Sequence, residues 1–285
     1  MADIFYNKAR RLRSVWRLAL FVVAYLIATN ALFLVAEFGS ARLLPRETFE
    51  WVFLHSGWAY VIQSVLLFFP AALVGWGCAL VLEELPWRSL GWAVHRGWVR
   101  DALFGTLGGG VAVCLAALVG MAAGGIRLTV ADSTGGGMAK TFVAAGLIFL
   151  LGAAAEEMLF RGYPLQTVMR SWPVWVALIP VSLPFALVHL TNPNVVPGFT
   201  FVNTALAGAW LCVAYWRTRS LWFPLGLHFG WNWVQGAVLG SPVSGIKSIA
   251  PHPLLSFTDA GPSRAAARAR PSARPSAAAR ARPAS

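Results

Sequence analysis

Seven apolar stretches, most of them near the length that spans a bilayer, alternate with short polar segments along this chain. A spanning helix needs about 20 consecutive apolar residues, and the stretches cover about 18–36, 58–82, 102–123, 138–169, 175–190, 199–216 and 221–239. Lipid leaves no partner for an open sheet edge, so such a chain is helical. Only 12% of its residues are charged and 58% are hydrophobic, against the roughly 25% charged residues of a globular domain. The expected fold is therefore an all-α, polytopic transmembrane bundle of about seven to eight spans. Four regions follow: a basic cytoplasmic N-terminus over 1–17, transmembrane helices with an interfacial amphipathic segment over 18–137, a core over 138–240, and a C-terminal segment over 241–285. Fourteen Trp and eighteen Phe suit lipid-facing surfaces and interfacial belts.

The net charge of +12 does not point to nucleic acid. Six of the 23 basic residues lie in the last 25 residues, and five more precede the first apolar stretch. The rest of the chain is nearly balanced. The N-terminal basic cluster predicts a cytoplasmic N-terminus by the positive-inside rule. The Arg-, Ala- and Pro-rich tail has nothing apolar to bury and is expected to be disordered. Seven spans would then put that basic tail outside, so either an extra or re-entrant segment around Ser241–Phe257 or one span fewer is expected. Cys78, Cys114 and Cys212 are scattered and lack metal or disulfide spacing. Gly105/Gly109 and Gly120/Gly124 have the small-xxx-small spacing that lets helices approach closely. Gly108–Gly110 lacks the Lys-Ser/Thr of a phosphate loop. Pro70 and Pro164 are expected to kink their helices.

Two acidic pairs lie at the ends of apolar stretches. Glu83-Glu84 ends its apolar stretch and is followed by Leu-Pro, which gives it the expectation of an interfacial surface pair. Glu156-Glu157 closes a stretch with no charge between Thr141 and Ala155, and Arg161 follows Glu157 at i+4. Residues four apart on a helix can pair, whereas Glu156 is rotated about 100° away. Arg161 is thus expected to hold Glu157 and to leave Glu156 for another task. Ionisable groups at membrane depth are costly and usually functional.

Three more polar residues fall in otherwise apolar stretches downstream. His189 closes the fifth, and His228 and Asn232 share one face of the seventh at i, i+4. Each alone reads as an interfacial residue or interhelical glue. Together with the glutamates they read as a polar pocket sunk in the membrane. Glu plus His can activate a water, since a carboxylate in apolar surroundings can take and return a proton near neutral pH. His and Asn side chains can donate to a developing oxyanion. The set Glu156, His189 and His228 also matches zinc-ligand chemistry, although no His-Glu-x-x-His motif is present. The cofactor expectation is accordingly open: none, or a divalent metal such as zinc.

Glu-Glu-x-x-x-Arg, then Phe-x-x-x-His, then His-x-x-x-Asn resembles the CAAX protease and bacteriocin-processing (CPBP, or Abi) family of intramembrane proteases, which includes the type II CAAX prenyl endopeptidases. Phe160-Arg161-Gly162-Tyr163 and Ser220-Leu-Trp-Phe-Pro agree with it, and the likeness covers roughly residues 140–240. It implies an endopeptidase that cleaves a membrane-associated protein or peptide, prenylated or bacteriocin-like, at or within the bilayer. It implies Glu156 as general base, His189 as its partner, His228 and Asn232 as oxyanion stabilisers, and Glu157 and Arg161 as supports. The composition resembles that of a high-GC bacterial chain, which points to the bacterial inner membrane. Two alternatives use the same cluster: a non-catalytic immunity or scaffold protein, and a proton-coupled transporter. Partners expected are the lipid bilayer and a membrane-anchored substrate, with no nucleic acid.

Overall fold

A computed structural model describes residues 2–8 and 10–260, and the basic tail lies outside them. Helix α1 covers Ser14–Leu43, α2 Trp58–Glu83, α3 Trp98–Ala122 and α4 Gly135–Glu157. A π turn at Met158–Gly162 joins α4 to the short α5, Tyr163–Met169. Then come α6 (Ile179–His189), α7 (Pro197–Thr218) and α8 (Trp222–Trp233), the last continued by a π turn at Val234–Val238. Five helical units are long and apolar enough to cross a membrane: α1, α2, α3, α4 through α5, and α7. The apolar helix over Val174–His189 is shorter, as is α8 with its π turn. The chain is an integral membrane helical bundle.

Alternating directions give the bundle two ends. At the near end, where α1 begins, the loops touch one another. Leu221 N–H donates to Gly91 O at 2.9 Å, Trp222 Nε1–H to Ala93 O at 3.1 Å, and Ser14 and Ser171 hydroxyls meet at 2.5 Å. At the far end the contacts are among the other loops. Asn194 Nδ2–H donates to Gly245 O at 3.1 Å, the Tyr60 and Ser248 hydroxyls meet at 2.9 Å, and His252 N–H donates to Thr141 Oγ1 at 3.2 Å.

At the far end no extra spanning helix follows α8 among the described residues, which leaves the alternative of one span fewer. The stretch over 241–257 contains no helix. It is irregular and ends in a strand, β2 (Leu255–Asp259), which pairs antiparallel with β1 (Ile126–Val130), Val130 facing Leu255. β1 lies in what the sequence presents as a loop. Pairing across more than 120 residues satisfies backbone groups that the irregular connections leave free, and local sequence cannot signal it.

Glycines set the closest helix packing. A Cβ at Gly105 would meet Phe223 O, and one at Gly109 would meet Leu227 O. Reciprocally, a Cβ at Gly226 would meet Ala102 O and one at Gly230 would meet Thr106 O. Two small-xxx-small pairs therefore interlock α3 with α8, backbone against backbone. Gly120/Gly124 does not work this way. A Cβ at Gly120 would meet only the following Ile126, and Gly124 turns the chain out of α3 at φ +71°.

Glu83 is also corrected. It is buried at the near end of α2, where Arg17 of α1 pairs with its Oε1. Thr167 Oγ1–H donates to the same oxygen at 3.1 Å, and Arg170 Nη1–H donates to Oε2 at 2.5 Å. One carboxylate thus ties α1, α2 and the end of α5. Its neighbour Glu84 does lie at the surface, in the left-handed turn that ends α2. Next to this network, Phe21, Tyr163, Leu165 and Val181 form the main core.

Candidate active site

The π turn after Glu157 follows from Pro164. Proline has no N–H to return to the carbonyl four residues back, and the chain widens its turn ahead of it. The irregularity therefore sits at Met158–Gly162, and Pro164 itself occupies the first turn of α5. Gln166 Nε2–H donates to Arg161 O at 3.3 Å and satisfies one carbonyl of the turn.

Glu157 and Arg161 are both fully buried and meet at 3.1 Å. Arg161 Nη2–H also donates to Gly208 O of α7 at 3.0 Å, and its guanidinium lies 4.4 Å from the Phe185 ring centre on α6. It thereby joins three helices. The close approach of α7 relies on Gly208, where a Cβ would press on Ser182 and Phe185.

Both histidines have one ring nitrogen fixed. His189 Nδ1–H donates to Phe185 O at 2.7 Å, and His228 Nδ1–H donates to Glu157 Oε1 at 2.9 Å. A carbonyl or carboxylate oxygen only accepts, so in each neutral ring the proton is on Nδ1 and the lone pair on Nε2. The two Nε2 atoms face the same atom, Glu156 Oε2, at 3.8 Å for His189 and 3.7 Å for His228. That oxygen is buried without a hydrogen-bond partner among the described residues. Three lone-pair atoms thus surround one small space. A water suits it, because a water brings two protons to atoms that have none to share.

A metal suits it less well. Among the described residues no group of three His, Cys, Asp or Glu side chains is arranged to hold a metal ion. Glu156, His189 and His228 come together, but the 3.7–3.8 Å separations are wider than the roughly 3.3 Å edge of a tetrahedron with 2.0–2.1 Å zinc bonds.

Through His189, His228 and Asn232 the site borders a cavity of about 590 Å³, whose lining does not include Glu156. His189, His228 and Asn232 line its inner part, and Phe199, Leu206, Trp210 and Trp231 give it an apolar wall. Asn194, Asn203, Thr204 and Gln235 add uncharged polar groups that the motif reading missed. Only the polar loop at 191–198 hints at any of them in the sequence. Gln235 is positioned, accepting from Trp231 Nε1–H at 2.8 Å and donating to Pro242 O at 2.6 Å.

Residues 137–234 match the family model described as type II CAAX prenyl endopeptidase, Rce1-like. The core of this chain is Rce1-like. The match covers about a third of the chain and contains Glu156, Glu157, Arg161, His189, His228 and Asn232. No curated protein and no solved structure matches the chain. The Rce1-like core runs from the start of α4 to the end of α8, so α3, which locks α8 in place, lies outside it. The wall contributed by 241–245 lies outside it as well.

Proposed function

We propose that this chain is an intramembrane endopeptidase in which Glu156 and His189 activate a water for hydrolysis of a peptide bond. The observation that supports this most is the pair of histidine Nε2 atoms facing the partnerless Glu156 oxygen. A water there donates to Glu156 and His189 and is left with a lone pair for a substrate carbonyl. Glu156 takes a proton from the water as the C–O bond forms and delivers it to the leaving amine when the C–N bond breaks.

Asn232 and His228 face the same cavity and would hold the oxyanion. Nε2 of His228 can donate only when the ring carries a second proton. Glu157 accepts the Nδ1–H of that ring, and Arg161 holds Glu157 in place. In this reading Glu157 and Arg161 are positioning residues, acting through His228 and through the helix junction. The substrate is a membrane-anchored protein or peptide. The chain would reside in a bacterial inner membrane with its N-terminus in the cytoplasm, in line with the basic residues that precede and begin α1.

The test is cleavage of a panel of membrane-anchored peptides, some prenylated, by purified protein in liposomes, with products read by mass spectrometry. Cleavage by wild type and its loss in a folded His189→Ala variant support the proposal. Equal cleavage by the two overturns the role of His189.

A further inference from the structure

The chain ahead of α1 does not trail away from the bundle. Between Ile4 and Trp16 it folds back on itself and on the first turn of the helix. Arg13 N–H donates to Phe5 O at 2.9 Å, Asn7 N–H to Arg11 O at 2.9 Å, and Arg11 N–H to Asn7 Oδ1 at 3.0 Å. Trp16 Nε1–H donates to Ile4 O at 3.0 Å, and the Phe5 and Trp16 ring centres lie 4.9 Å apart. Backbone groups paired in this way can enter the interfacial layer of a bilayer without being left unsatisfied.

This fold presents two kinds of side chain together. Ile4, Phe5, Tyr6 and Trp16 are exposed, Ile4 at 61%. Lys8, Arg10 and Arg11 are exposed in the same segment, and between residues 4 and 16 the sequence has basic residues but no acidic one. Glu84 stands 3.9 Å from Arg11, in a pair whose side chains are both more than half in solvent, and such pairs contribute little. The adjacent Glu83 is already matched by Arg17 and Arg170. The segment therefore keeps a net positive charge beside an exposed apolar set.

Its place in the bundle fits a membrane surface. It leads directly into α1, one of the helices able to cross a membrane, and Trp16 lies in the first turn of that helix, at the depth that Trp and Tyr favour. It is also held firmly. The Ser14 and Ser171 hydroxyls meet at 2.5 Å, and Arg17 and Arg170 share Glu83, so the start of α1 is fixed to α2 and α5. An apolar set alone would be satisfied by any lipid. The cations are selective, because a zwitterionic headgroup brings as much positive charge as negative. We infer that residues 4–16 form a docking surface for anionic phospholipid at the near end. Ile4, Phe5, Tyr6 and Trp16 sit at the boundary between headgroups and acyl chains, and Lys8, Arg10 and Arg11 meet the phosphates. This holds whether or not Glu156 is catalytic.

The test uses the full chain in a neutral detergent, mixed with equimolar phosphatidylglycerol and phosphatidylcholine of the same acyl chains. Native mass spectrometry counts the lipids retained. Wild type should prefer phosphatidylglycerol, and each basic residue near an anionic surface contributes about fivefold to binding. Lys8→Gln/Arg10→Gln/Arg11→Gln should therefore lower that preference by at least about tenfold. Arg88→Gln/Arg96→Gln/Arg217→Gln removes the same charge elsewhere at the near end and should leave the preference within about twofold of wild type. Lys8→Arg/Arg10→Lys/Arg11→Lys keeps the charge and should keep the preference. All three variants should melt like wild type, since the hydrogen bonds that fold the segment come from the backbone, Asn7 and Trp16. Equal retention of the two lipids by wild type, or equal losses in the two Gln variants, overturns the inference. So does loss of the preference in the charge-keeping variant. Glycerol phosphate in large excess should not displace the lipid, because it brings no acyl chain to the apolar set. Displacement would assign a soluble anion and overturn the lipid.

Discussion

Arg161→Met removes the cation from a pair in which neither partner touches solvent. Glu157 would keep only the His228 Nδ1–H as a donor to its Oε1, and its Oε2 already lacks a partner among the described residues. Removing one member of a buried ion pair costs about 3–5 kcal/mol, chiefly because the other charge is stranded. Loss of the bond to Gly208 O and of the contact with Phe185 acts in the same direction. At about 2–4 °C per kcal/mol for a chain of this general size, the melting midpoint in detergent should fall by about 6–20 °C. Trp fluorescence can follow it. The double variant Glu157→Gln/Arg161→Met strands no charge and should be more stable than Arg161→Met alone by at least about 1 kcal/mol, as expected for coupled neighbours. A single variant that melts within 2 °C of wild type, or a double variant whose loss is the sum of the two singles, would refute the reasoning.

Other outcomes follow from the same geometry. Gly109→Ala should destabilise the fold, since the new methyl group meets Leu227 O across the α3–α8 contact. Gly108→Ala, where the nearest atom is the end of a Leu227 side chain at 3.4 Å, should be neutral or stabilising by up to about 1 kcal/mol from helix propensity. Melting curves of the two variants decide this. Glu83→Gln should lower the melting midpoint by several degrees, because Arg17 and Arg170 lose their shared carboxylate, whereas Glu84→Gln should leave it unchanged. Cleavage, once a substrate peptide is found, should persist after dialysis against a chelator, since Glu156 Oε2 stands farther from the two histidine Nε2 atoms than zinc ligands stand from one another. Loss of cleavage restored by zinc would sink that expectation.

Much of the bundle is legible in the sequence, because a span announces itself by about 20 apolar residues in a row and needs no distant information. The pairing of Glu157 with Arg161 is local in the same way, four residues on one helix. The role of Glu83 is not. A local partner would stand about four residues along, whereas its actual partners, Arg17 and Arg170, are 66 and 87 residues away in the chain. Gly105/Gly109 can be read as a packing face, yet nothing in its own stretch says that Gly226/Gly230 completes it. Gly120/Gly124 has the same spacing and packs against no helix, so spacing alone does not identify a contact. The β1–β2 pair is invisible for the same reason as the Glu83 network. As for the site, its six motif residues come from three apolar stretches, and their convergence is suggested only by the cost of leaving polar groups in lipid. The cavity wall, with Asn203 and Gln235, depends on how α7 and α8 face each other and leaves no comparable sign.

The central claim is that Glu156 is the base that activates the hydrolytic water. The most direct measurement is the single-turnover cleavage rate of wild type and Glu156→Gln on the same membrane-anchored peptide, with Glu84→Gln alongside as a surface control. The expected result is a loss of about 10²–10⁴-fold, the usual contribution of a general base, in a Glu156→Gln protein that melts like wild type, with Glu84→Gln unaffected. A folded Glu156→Gln variant that cleaves at the wild-type rate would contradict the account.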